Sequence, residues 1–411
     1  MRTLAFWLSL VFVFTVPIEA VAEYPALGSA SRVIGIALAA FWVATVIVTG
    51  RFRKFILFHV AILIFIFWNA ISVFWSLNAD RSIEHLMTWV QIFLLVCILW
   101  DLYTTRESIE AALQMYILGG YVALGSTVIN FIVGNTFYYG RFSAAGTSPD
   151  DLGAILAIGI PIAWYLADSK KNNPVFRLLK WVNYAYIPAA LLGVALSGTR
   201  LALVAAIPGF IFCLASLTRL RMSTRIAIFI FLIATGYFSL PLIPQESFER
   251  LGTTGNEISS GDLNGRLELW TQGIVSFEKH PLLGVGSNMY RSVNVENKVA
   301  HNSFISVLVE LGLVGFILFG FVLATAIRQI FNQPTWEKRM WLAVLVGWAA
   351  AASTLTWEYR KPTWLFLCLI VANSYVLKHT DEVTSPVAKN NSEARINNPK
   401  GIQLALDEPR E

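Results

Sequence analysis

Four stretches of this sequence hold the polar residues from which chemistry can be built. They are Tyr139 to Asp151, with Arg141, Asp150 and Asp151; Ser197-Gly198-Thr199-Arg200; a long segment containing Arg266 and ending at His301; and Trp357-Glu358-Tyr359-Arg360-Lys361. Arginine presents a planar fork of donors that fits phosphate oxygens, and histidine exchanges a proton near neutral pH. Together they suit a phosphate-bearing substrate whose reaction moves a proton. Each has a plainer reading as well: an interfacial arginine anchors lipid headgroups, and Asp150 or Asp151 can cap a helix.

What must position these residues is a membrane. The 411 residues are 56% hydrophobic and 14% charged, with a mean hydropathy of +0.60. Apolar runs long enough to span recur at 4–18, 33–50, 55–75, 86–102, 111–134, 152–168, 181–197, 201–217, 226–244, 302–327, 339–356 and 363–378. About 20 residues of helix cross a hydrocarbon core, and only helices or closed barrels satisfy their backbone there. The expectation is an all-α polytopic protein of about twelve spans. The expected organisation is a nine-helix region (1–244), a large outer loop (245–301), three further spans (302–378) and a polar, disordered tail (379–411).

Lys and Arg fix the orientation. With the N-terminus inside, the N-terminus and the inner segments between spans together hold fifteen, and the short outer loops only six (Arg32, Arg81, Arg141, Arg200, Arg360, Lys361). Both termini are then cytoplasmic and all four polar stretches lie outside. The first span also resembles a signal peptide, because Arg2 and an apolar run precede Ala20-Val21-Ala22. Cleavage there would leave eleven spans.

Within the outer segments, Ser197 to Arg200 joins two spans with almost no loop, which sets Arg200 at the start of a helix whose free N–H groups favour an anion. Leu263 to Lys279 reads as an amphipathic helix packed through Leu267, Trp270, Ile274 and Phe277, with Arg266 on the face of Trp270. Gly284-Val285-Gly286-Ser287 predicts a turn and weakly suggests a phosphate loop. His301 stands where the loop re-enters the membrane, as a general base or an interfacial structural residue. Glu310, nine residues on, faces the opposite side of the helix and reads as a structural carboxylate.

No nucleotide loop or H-E-x-x-H zinc motif appears, and the three cysteines fall inside apolar runs. Asp150-Asp151 lacks a third ligand for a metal. No metal, cofactor or nucleic acid is expected. His59 and Glu310 are too few and too isolated for a proton relay.

The motifs Asn264-Gly265-Arg266 through Trp270, His280-Pro281-Leu282-Leu283-Gly284-Val285-Gly286, and Ala300-His301-Asn302-Ser303-Phe304 through Glu310-Leu311-Gly312-Leu313-Val314-Gly315 resemble the O-antigen ligase and polymerase superfamily. Ser197-Gly198-Thr199-Arg200 is similar to its S-x-S/T-R element. Pro149-Asp150-Asp151 departs from the Pro-Asn that members often carry, so the pattern itself does not fix the role of this loop or of Arg141.

The resemblance implies a metal-independent glycosyltransferase at the periplasmic face of the bacterial inner membrane. It would move a glycan from undecaprenyl diphosphate to an acceptor hydroxyl, with lipid A–core as the acceptor and membrane lipids as surroundings. Polymerisation of O-antigen or exopolysaccharide repeat units is the alternative, and a lipid-linked glycan transporter a weaker one. In these terms His301 is the catalytic base, Arg200 and Arg266 bind the diphosphate, and Arg141, Glu358 and Arg360 are further substrate contacts.

Overall fold

The computed structural model describes residues 1–19, 23–24, 28–137, 140–168, 174–239 and 265–397. Tyr139, Leu263, Asn264 and the outer loop from 245 to 264 lie outside them.

Among the described residues, a helix overlaps each expected span: α1 Arg2–Thr15, α2 Ala30–Thr49, α3 Leu57–Ile71, α4 Ala79–Leu102, α5 Arg106–Val133, α6 Pro149–Ala167, α7 Pro174–Ser197, α8 Arg200–Ser216 and α9 Met222–Ser239, then α11 Ser303–Phe331, α12 Thr335–Ala352 and α13 Lys361–Asn397. Between α9 and α11 lies the outer helix α10, Arg266–Lys279. Two-residue strands, Glu23–Tyr24 and Gly28–Ser29, pair between α1 and α2. Eight helices among the described residues are individually long and apolar enough to cross a membrane. The chain is therefore a multi-pass membrane protein. Helix α13 runs on to Asn397, so the polar segment expected to be disordered from about 380 begins within a helix.

The helix starts are set by side chains that accept first-turn N–H groups: Ser29, Asn78, Thr105, Ser148 and Asn302. Ion pairs tie alternate helix ends together. Arg2 pairs with Asp101 at 3.0 Å, joining the start of α1 to the end of α4, and Arg106 reaches Glu337 at 2.6 Å, joining the starts of α5 and α12. At the opposite end Lys361 bonds Glu19 and Ser31. These contacts fit a bundle whose helices alternate in direction.

Helix α6 is the centre, with 83% of its apolar window buried under α7, α8 and α12. Gly153 makes the close approach to α8 possible: a Cβ there would stand 2.3 Å from Thr199 Cγ2. The first turns of α6 and α8 are thereby held side by side.

Span α11 is not the single continuous helix expected. Gly312 breaks it, with φ 66° and ψ −170°, a conformation open to glycine and strained for other residues. The 281–286 segment lies along the break and satisfies the freed backbone. Leu313 N–H donates to Pro281 O at 2.9 Å, Gly286 N–H to Glu310 O at 2.8 Å and Val285 N–H to Val309 O at 3.1 Å. Irregular backbone persists in a membrane protein where protein, rather than lipid, supplies its partners.

Candidate active site

The polar stretches read from the sequence converge at one end of the bundle, and Asp150 is their junction. It lies in the first turn of α6, where Ser148, not Asp150 or Asp151, caps the helix by accepting Asp151 N–H. Released from capping, Asp150 Oδ1 accepts Arg141 Nη2 at 2.5 Å and the Thr199 hydroxyl at 2.5 Å. Its Oδ2 stands 3.9 Å from Arg266 Nη2. One carboxylate thus gathers the 140–147 loop, the α7–α8 turn and the start of α10.

The two arginines around it differ. Arg141 also donates Nε to Ser197 O at 2.8 Å and is 12% exposed on its side chain, so its fork is committed to protein. Arg266 has no hydrogen bond to any described residue beyond its long ion pair. Burial, and repulsion from Arg141, pull its pKa below the ordinary arginine value against the attraction of Asp150. A desolvated guanidinium whose donors make no hydrogen bond to a described residue is suited to take an anion.

Arg200 is the first residue of α8 and half-buried. Its N-cap, Thr199, accepts no N–H from the helix through its side chain, and its hydroxyl is turned to donate to Asp150. The first-turn N–H groups of α8 are therefore left without a side-chain cap, beside Arg200.

His301 precedes α11 with φ 48°, a left-handed conformation uncommon outside glycine and costing of order 1–3 kcal/mol. The Thr356 hydroxyl holds it by accepting His301 N–H at 3.1 Å, while the next residue, Asn302, caps α11. Trp270 Nε1 bonds the preceding carbonyl, Ala300 O, at 2.8 Å. The ring makes no hydrogen bond to a described residue. Burial and the nearby Arg266 lower its pKa below 6.5, against Asp150 and Asp151. That shift favours the neutral imidazole, the form that accepts a proton.

The fourth stretch closes the site from behind. Trp357 Nε1 donates to Asp151 Oδ1 at 2.7 Å, and Ser303 links Trp357 N–H and Leu355 O to the start of α11. Glu358 is 3% exposed, and both carboxylate oxygens lack a hydrogen-bond partner of good geometry. Burial raises its pKa to about 7, opposed by the nearby Ser306 and Ser303 hydroxyls and by Arg360. Glu358 therefore does not open onto the surface where a substrate would lie, whereas Arg360 is exposed.

Two sequence readings change and a third holds. Leu267 is half exposed, and the packed stripe of α10 runs through Leu269 and Gly273. Gly273 lets the Tyr290 ring approach, and Tyr290 donates its hydroxyl to Leu269 O at 2.8 Å. The Gly284-Val285-Gly286-Ser287 turn is no phosphate loop, since its N–H groups bond His280, Val309 and Glu310 carbonyls and the Ser72 hydroxyl. Glu310, as expected, is structural, accepting Asn288 and Tyr290 N–H at 2.8 and 3.0 Å. Asp150 is the functional candidate that local sequence reasoning missed. Its signal was the departure at Pro149-Asp150-Asp151, next to an otherwise unexplained Arg141.

Residues 185–320 match the family model described as O-antigen ligase. That stretch includes Arg200, Arg266 and His301 but not Arg141, Asp150, Glu358 or Arg360. Over 292 residues the chain is 27% identical to the exopolysaccharide production protein ExoQ of Rhizobium meliloti (strain 1021), covering 64% of this chain and 63% of that protein. The match spans less than two thirds of that relative's length.

Proposed function

We propose that this chain, whose residues 185–320 match the O-antigen ligase family model and which is similar to an exopolysaccharide production protein, is an enzyme of the O-antigen ligase and polymerase superfamily that transfers a glycan from undecaprenyl diphosphate to an acceptor hydroxyl, without a metal, on the periplasmic face of the inner membrane. The observation that carries this reading is the sharing of Asp150 by Arg141, Thr199 and Arg266, close enough to His301 for Arg266, Asp150 and Asp151 to act on its ring.

The diphosphate is both handle and leaving group. Arg266 and Arg200, with the uncapped start of α8, hold it and stabilise the charge that grows as the anomeric C–O bond breaks. His301 removes the proton of the acceptor hydroxyl as that oxygen bonds the anomeric carbon. Asp150 and Arg141 keep Arg266 and the α8 turn in place. Arg360, exposed at the rim, touches the glycan or its phosphate. The apolar carrier tail lies among the spans.

Two acceptors compete. Lipid A–core is the ligase reading, and similarity to an exopolysaccharide production protein favours a growing repeat-unit chain. The glycolipids of a null strain decide between them. Polymer accumulating on the carrier with unmodified core supports ligation. Single repeat units on carrier or core, with loss of long polymer, support polymerisation. Unchanged glycans would overturn both.

A further inference from the structure

At the end of the bundle away from His301, a groove of about 1190 Å³ opens between α3, the last turns of α11, the start of α12 and α13. Its walls are apolar, including Leu57, Phe321 and Phe331. Its rim carries Arg328 and Lys378, both exposed and neither in an ion pair with any described residue. No acidic residue is among the described residues that line it. The polar seam beneath is built: Ser374 donates to Gln329 Oε1 at 2.9 Å, and Gln333 donates to Ile370 O at 3.0 Å.

A further donor set faces the same space. Pro334, which lines the groove, is the N-cap of α12 and has no side-chain cap bond. An 18-residue helix thus starts at the groove with free N–H groups and the positive end of its dipole. Two cations with no ion pair among the described residues, an uncapped helix start and apolar walls fit one chemistry, a phosphodiester headgroup with acyl chains attached. Basic pockets between spanning helices bind anionic lipid in this way.

We propose that this groove is a binding site for an anionic phospholipid of the leaflet opposite the His301 site. The phosphate sits between Arg328, Lys378 and the start of α12, and the chains lie along Phe321 and Leu57. By bridging α11, α12 and α13, the lipid ties together the helices that carry His301 and the Trp357 loop at their far ends. The proposal is independent of which glycan the protein transfers.

The test is native mass spectrometry of the full chain, released from nanodiscs of phosphatidylglycerol and phosphatidylcholine mixed equally. Retained phosphatidylglycerol, in excess over phosphatidylcholine, is the expected result. Each basic residue near an anionic surface contributes about a fivefold effect, so Arg328→Gln with Lys378→Gln should lower retention about 25-fold. Both side chains are exposed, and a Lys54→Gln control at the same end should retain the lipid as wild type does. Equal retention of the two lipids by wild type overturns the proposal, with no reliance on a variant. Undiminished phosphatidylglycerol retention by the double variant overturns it as well.

Discussion

Thr199 donates its hydroxyl to Asp150 at 2.5 Å and accepts no N–H from the helix it precedes through that side chain. That one bond joins two features of the site: the start of α8 is left open to an anion, and Asp150 is held where Arg141 and Arg266 meet it.

The cluster should behave as a coupled unit. Asp150→Asn keeps the shape but removes the charge between two guanidiniums, and Arg141→Ala removes the better-buried partner. Each should lower unfolding stability by about 1–3 kcal/mol. Their double variant should cost less than the sum, with a coupling of roughly 0.5–3 kcal/mol. Thermal unfolding in detergent measures this, and strict additivity would mean that the two side chains do not act together.

Arg266 and Arg200 should differ from Arg141 in what they lose. Replacing either with Ala should cost about 1.5–3 kcal/mol of donor binding, roughly tenfold to a hundredfold in affinity. Lysine should rescue poorly because it lacks the fork. Isothermal titration with a prenyl-diphosphate donor reports the affinity. Wild-type affinity in folded Arg200→Ala would remove Arg200 from the site.

The break in α11 is a packing device, so changes there should act on stability. A Cβ at Gly284 would meet Glu310 O at 2.4 Å, with φ at +72°. Gly284→Ala should therefore destabilise by more than about 2 kcal/mol. Glu310→Ala strands the Asn288 and Tyr290 amides, at about 1–3 kcal/mol for each that stays dry. If Glu310→Ala kept full stability and lost only turnover, Glu310 would be part of the chemistry.

The spans were legible because length and hydropathy are local properties. The break at Gly312 was not, since the groups that make it tolerable, Pro281 O and Gly286 N–H, lie more than twenty residues away. Arg200, Arg266 and His301 stood out as charged or titratable groups where apolar neighbours make them conspicuous. Asp150 did not. An acid in a first helical turn has a sufficient local explanation, and its partners Thr199 and Arg266 arrive only with the fold. Glu358 misled for the opposite reason: flanked by Tyr359, Arg360 and Lys361 it reads as surface, yet the Trp357 and Trp364 contacts fold it inward.

The orientation has a direct check. Reporter fusions at Gln245 and after His379 should report the periplasm and the cytoplasm respectively, from the excess of Lys and Arg on the inner side. A periplasmic signal after His379 would place the His301 site on the wrong face for a donor displayed outside.

His301 gives the sharpest test of mechanism. A positioned base contributes about 10²–10⁴-fold, so His301→Ala should lose that much turnover while donor affinity, assigned to the arginines, survives. The pH profile adds a second reading. Only the neutral ring accepts a proton, so the rate should be full above the imidazole pKa and fall as pH drops through it. Burial and Arg266 set that pKa below 6.5, so the acid limb should lie lower than for an ordinary histidine. In Arg266→Gln the repelling charge is gone, and the limb should move to higher pH even as donor affinity falls. Profiles of kcat for wild type and Arg266→Gln, at saturating donor, measure the displacement. An acid limb that stays put, or moves down, would separate His301 from Arg266 electrostatically and take the base role away from it.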